Sequence, residues 1–140
     1  MKLYPEEALL WHYKGESYFY LKKYEQALEW FNKTLSINPD SLETMNCIAL
    51  CYYLQNRLDD SFSIFKDILE IRPHFSQVIN NLAYCYSEKG EYEKAIEYFQ
   101  KAFDISPLNV GALSNCAHVY VELGEYEKAI SLCLKSNVID

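Results

Sequence analysis

At 140 residues, half of them apolar, the chain is long enough to enclose a hydrophobic core. Four Gly and four Pro against thirteen Tyr and seven Phe exclude a disordered or turn-rich all-β chain, and a formal charge of −7 sets the protein against phosphate backbones and anionic headgroups, so neither nucleic acid nor a membrane surface is an expected partner. The first ten residues carry no basic segment followed by an apolar run and a cleavage site, and no stretch reaches the roughly 18 apolar residues of a transmembrane helix, so a cytoplasmic protein is expected.

From the N-terminus onward the prolines set a period, because Pro5, Pro39, Pro73 and Pro107 are 34 residues apart. That step divides a single domain, 1–140, into repeats 8–41, 42–75, 76–109 and 110–140, the last incomplete. The first repeat presents Gly15, Tyr18, Lys22, Tyr24, Glu25, Ala27 and Phe31. The second answers with Ala49, Tyr52, Asn56, Leu58, Asp59, Ser61 and Phe65, and the third with Ala83, Tyr86, Gly90, Tyr92, Glu93, Ala95 and Phe99. The fourth keeps Ala117, Tyr120, Gly124, Tyr126, Glu127 and Ala129, then places Cys133 where the others have phenylalanine.

Within a repeat the apolar spacing is helical, as in Leu82, Ala83 and Tyr86 followed by Tyr92, Ala95, Ile96 and Phe99, so each repeat is predicted to be two helices. Gly90, Gly124 and Asn56 suit the left-handed residue that ends the first helix, whereas Lys22 is not expected to adopt it cheaply. Glu25, Asp59, Glu93 and Glu127 complement the exposed N–H groups at the start of the second helix. Ser41, Ser76 and Asn109 are predicted N-caps of the following repeats. The small residues let the helices of a hairpin approach, and the Tyr and Phe registers fill the space between hairpins. A lone hairpin buries one face only, so stacking neighbours is what offsets the entropy of ordering it.

The pattern Trp11, Gly15, Tyr18, Ala27, Phe31 and Pro39, repeated as Leu82, Ala83, Tyr86, Ala95, Phe99, Ala102 and Pro107, resembles the tetratricopeptide repeat family over nearly the whole chain. It departs at Lys14, where leucine is usual, and at Ile68, where a small residue is usual. The resemblance implies an all-α, right-handed α-solenoid of four stacked antiparallel helix-turn-helix repeats, with a concave groove lined by the first helix of each. Carried onto this sequence, it places His12, Tyr13 and Glu16 in the groove, then Asn46, Cys47 and Tyr53, then Asn80, Asn81 and Tyr84, and finally Asn115 and His118.

The family's carboxylate clamp grips chaperone C-termini with Lys, Arg and Asn. The matching positions here are His12, Glu16, Cys47, Gln77 and Asn81, with no Lys or Arg, so a chaperone-tail co-receptor is not expected. The row of amides, Asn46 and Asn80 beside Asn81 and Asn115, suits the backbone of an extended peptide, with tyrosines covering its side chains. The alternative is that these amides serve solubility or bond the adjacent hairpin. Glu16, Glu43, Glu88 and Glu122 favour a neutral or basic protein or peptide partner, or else form a solvated acidic face.

Five cysteines, Cys47, Cys51, Cys85, Cys116 and Cys133, lie within helical patterns and read as reduced thiols, not a disulfide framework. Cys47 and Cys51 are one turn apart, and His12 or His118 can be imagined as further ligands, but small-hydrophobe packing is the preferred reading and no metal or cofactor is expected. Neither a third orienting group for a Cys–His pair nor a Gly-rich phosphate loop is present, so no catalytic residue and no enzyme are expected. The last repeat has no sealing polar helix after it. Ser136, Asn137 and Cys133 soften an end that still carries Ile130, Leu132 and Leu134, which reads either as a piece of a longer array, as a face that pairs into a homodimer, or as a terminal swap. The expected function is a scaffold or adaptor that holds a peptide segment of a partner protein; the alternative is a self-associating structural module or part of a larger assembly protein.

Overall fold

The computed structural model describes the backbone of residues 5–108 and 110–139, and side chains over 6–108 and 111–134. The described residues form eight α-helices and no strand: α1 (Pro5–Tyr20), α2 (Tyr24–Ile37), α3 (Leu42–Leu54), α4 (Leu58–Ile71), α5 (Ser76–Glu88), α6 (Tyr92–Ile105), α7 (Val110–Glu122) and α8 (Tyr126–Ile139). None is long and apolar enough to cross a membrane. The chain divides after Ile68 into two compact units, the first with α1 to most of α4 and the second with the last turn of α4 and α5 to α8.

In the first unit α1 packs on α2 and α2 on α3. Ala27, Leu28, Phe31, Ile48 and Cys51 form a buried core, with Tyr18, Phe19, Tyr24 and Ile64 against it. The small-residue registers do what their size predicts, since Gly15, Ala27, Ala49 and Ser61 are all buried beside fully buried Phe31 and Phe65. Ser61 satisfies its buried hydroxyl by donating to the Leu58 carbonyl at 2.9 Å. Lys14, in place of leucine, lays its ammonium 3.8 Å from the centre of the Trp30 ring, which Lys33 also approaches at 4.2 Å. A long stem with a charged tip therefore covers the same aromatic surface that a leucine would. Ile68 is fully buried.

In the second unit α5 packs on α6, α6 on α7 and α7 on α8. Ile79, Ala102, Phe103, Ala112 and Leu113 form its core, with Leu69, Tyr98 and Leu132 against them. Cys116 sits in the interior as a small hydrophobe, but Cys133 is exposed, and on the same face of α8 Tyr126, Ile130 and Leu134 keep 62, 59 and 62 % of their surface. Ser136 and Asn137 lie outside the described side chains, and Asn109 outside the described residues.

Four identical caps end the first helix of each pair. The N–H of Lys23, Arg57, Glu91 and Glu125 donates to the carbonyl of Tyr18, Tyr52, Tyr86 and Tyr120 at 2.9, 2.8, 2.9 and 2.9 Å, and the residue before each donor reaches back three positions. This six-to-one and five-to-two pattern needs a positive φ, which Lys22, Asn56, Gly90 and Gly124 supply at 63, 62, 79 and 77°. Lys22 thus takes the conformation that its residue type disfavours, because the tertiary contact of α1 with α2 requires the same turn as in the other repeats. Ser41 caps α3 by accepting from Thr44 N at 3.3 Å. Ser76 does not cap α5. The helix starts one residue earlier than its hydroxyl requires, with Phe75 as N-cap and its carbonyl accepting from Val78 and Ile79 at 3.0 Å each.

Candidate functional site

The first unit carries a cleft of about 410 Å³ where α1, the end of α2 and the start of α3 meet, lined by Leu9, His12, Tyr13, Thr34, Glu43 and Thr44 among others. Leu9 and Tyr13 stand one turn apart on α1, 52 and 54 % exposed, while Thr34 and Thr44 are buried at its floor. The described lining holds no Lys or Arg.

His12 is the best-held polar group in the cleft. Its Nδ1 lies 3.0 Å from Thr44 Oγ1, its Nε2 3.3 Å from Glu16 Oε1 one turn on, and its ring is 5.5 Å from Phe31 and 6.1 Å from Tyr13. Thr44 Oγ1 is in turn 2.8 Å from Ser41 Oγ, so the residue that caps α3 also fixes the hydroxyl that meets His12. Across from this pair lies Cys47 of α3, and one ligand atom from each of His12, Glu16 and Cys47 falls within 4.8 Å of the others. Burial first, and then the charges of Glu16 and Glu43, push the Cys47 thiol up to about 12. Cys51 is also raised to about 12, by burial and then by Cys47 and Glu25.

The sequence set Cys47 beside Cys51, with His12 or His118 as imaginable further ligands; the structure brings Cys47 to His12 and Glu16. The signal was available in the period, since Cys47 occupies the register of Tyr13 one repeat later, beside the face of α1 that carries the spaced pair His12 and Glu16. Asn46, expected among the groove amides, is 5 % exposed and turned into the interior, so it offers no surface to a ligand. Its neighbours on α3, Glu43 and Cys47, are exposed and half-buried. Tyr53 is half-buried.

In the second unit Tyr84 remains 37 % exposed and stands edge-on to buried Phe99, ring centres 5.3 Å apart. Asn80, Asn81 and Asn115 are half-buried, and Asn80 Oδ1 is enclosed without a hydrogen-bond partner. His118 is exposed, with Nε2 4.0 Å from Glu122 Oε1. Arrangements of this kind present aromatic and amide surface, with Glu122 beside His118.

No curated protein matches the sequence. Among solved structures, MamA (residues 41 to the end) from Desulfovibrio magneticus RS-1 superposes with a TM-score of 0.81 at 19 % identity, over 96 % of this chain and 75 % of that one. A MamA structure designated MSR-1 gives 0.75 at 20 % identity, over 95 and 76 %. The first TPR of Spaghetti, bound to the HSP90 peptide SRMEEVD, gives 0.77 at 16 % identity, over 87 % of this chain and 97 % of that one. One tetratricopeptide repeat profile matches residues 8–41, and another matches 40–107 and 74–136. With profile matches over most of its length, the chain belongs to the tetratricopeptide repeat family of protein–protein interaction modules.

Proposed function

We propose that the chain is a non-enzymatic adaptor that seats a peptide segment of a partner protein on the first-helix face of its first unit, with an apolar anchor of that segment in the cleft beside Leu9 and Tyr13. The observation that carries this reading is the pair itself: two large apolar side chains, one turn apart and half exposed, at the mouth of a concave cleft. Covering such surface returns about 25 cal/mol for each Å² removed from water. In the second unit, taken by itself, Asn81 and Asn115, with donors and acceptors on one side chain, suit the backbone of an extended segment, and Tyr84 suits its side chains.

Charge selects the partner. The Spaghetti domain binds a peptide rich in acids, but the matching clamp positions here, His12, Glu16, Cys47, Gln77 and Asn81, supply no fixed cation. A carboxylate arriving at the cleft meets Glu43 in its lining, with Glu16 behind His12, so a neutral or basic segment is favoured. Catalysis by Cys47 is disfavoured because its thiol, raised to about 12, is a poor nucleophile at neutral pH. The test is affinity for a segment selected from a peptide library: the Asn81→Ala, Asn115→Ala double variant weakens it by about tenfold or more, and unchanged affinity removes the amides from the reading.

A second reading has its own observation. Tyr126, Ile130 and Leu134 form an exposed apolar stripe on α8, which suits self-association of the module. Sedimentation equilibrium across a hundredfold concentration range tests it; a constant monomer mass rejects it.

A further inference from the structure

We propose that His12, Glu16 and Cys47 form a binding site for one zinc-class divalent ion, with water in the fourth position. The site goes beyond peptide binding and does not depend on it. The three residues supply the ligand types that such ions prefer, an imidazole nitrogen, a carboxylate oxygen and a thiolate sulfur. Two come from one turn of α1 and the third from the adjacent α3, so the ion ties two hairpins of the same unit together.

The spacing fits. With metal–ligand bonds of about 2.0 to 2.3 Å at tetrahedral angles, ligand atoms stand about 3.3 to 3.6 Å apart. His12 Nε2 and Glu16 Oε1 are already 3.3 Å apart, and no ligand pair among the three exceeds 4.8 Å. Closing the remainder takes a shift of about 1 Å in the Cys47 sulfur, within the reach of a side-chain torsion. The orientation of His12 is also prepared. With the ion on Nε2, Nδ1–H donates to Thr44 Oγ1 at 3.0 Å, and the Thr44 hydroxyl donates onward to Ser41 Oγ at 2.8 Å. An outer hydrogen bond of this kind fixes the tautomer of a ligating histidine.

Charge balances as well. A carboxylate and a thiolate neutralise a dication, and Glu43, one turn before Cys47, adds further negative potential. On binding, the S–H bond breaks, a sulfur–metal bond forms, and the proton leaves to solvent; no electron is transferred.

The experiment is a titration of the full, reduced chain with Co²⁺, followed by displacement with Zn²⁺. One equivalent of Co²⁺ is expected to give a thiolate-to-cobalt charge-transfer band and the d–d absorption of a four-coordinate ion. Cys47→Ser abolishes the charge-transfer band, and Cys51→Ser and Cys133→Ser retain it. Glu16→Gln, at a partly exposed carboxylate whose loss leaves the core intact, lowers the Co²⁺ affinity by about tenfold or more and keeps the site testable if Cys47→Ser does not fold. The proposal is overturned by a missing charge-transfer band, by a band that survives Cys47→Ser or depends on Cys133, or by unchanged affinity in Glu16→Gln.

Discussion

Gly15 faces the ring of Phe31 so closely that a methyl group added to it would stand 2.6 Å from Cδ1 and Cε1, and Phe31 is itself fully buried. The glycine is there for the sake of the ring. In the other repeats the same register is filled by Ala49, Ala83 and Ala117. Gly15→Ala gains about 1 kcal/mol of helix propensity and incurs about 1 to 3 of overpacking. Phe31 is enclosed in the core, and the expected net effect is a loss of about 1 kcal/mol. Urea unfolding checks it, and the loss shrinks in a Phe31→Leu background, where the ring is gone.

Lys22 and Gly90 hold the same left-handed cap with opposite residue types. Lys22→Gly is expected to stabilise the chain by about 1 kcal/mol, and Gly90→Ala to destabilise it by a similar amount although the space around Gly90 is open. Thermal melts of the two variants should move in opposite directions from the parent.

Ser41 both caps α3 and supports the hydroxyl of Thr44. Ser41→Ala is expected to cost about 1 kcal/mol and Ser41→Gly only a few tenths. Ser76→Ala, one residue past the true N-cap of α5, stays within about 0.5 kcal/mol. Equal effects at the two serines in denaturant titrations would contradict this assignment.

Much of this organisation is legible in the sequence because the repeat sets it. Tyr18, Tyr52, Tyr86 and Tyr120 share a register, and their carbonyls turn out to receive the same capping bond. Phe31, Phe65 and Phe99 are buried as their period demands. What periodicity does not carry is side-chain direction between helices that are far apart in sequence. Asn46 belongs to the groove by register but turns inward, and the approach of Cys47 to His12 and Glu16 depends on how α3 lies against α1. Lys14 shows the same limit: its register asks for leucine, and only the position of Trp30 reveals what replaces it.

Cys47, Cys51 and Cys116 are held protonated, with pKa values of about 12, 12 and 11, whereas Cys133 lies on the surface. Iodoacetamide at pH 8 is therefore expected to modify Cys133 first, with the other three reacting only on unfolding, as read by mass spectrometry of the digested protein. The same shifts predict a pH dependence. Because the folded state keeps protons that the unfolded chain loses near pH 9, these thiols contribute their full stabilisation below about pH 9, and it is lost as the pH rises towards 12. Cys47→Ala and Cys51→Ala should flatten that alkaline decline.

Selection of a random peptide library on the full chain, repeated on the Leu9→Ala, Tyr13→Ala double variant, bears most directly on the interaction surface. The expected result is enrichment of neutral or basic segments with an apolar anchor, lost on the double variant while its helical circular dichroism is unchanged. Enrichment of acidic segments ending in a free carboxylate, or selection indifferent to Leu9 and Tyr13, would contradict it.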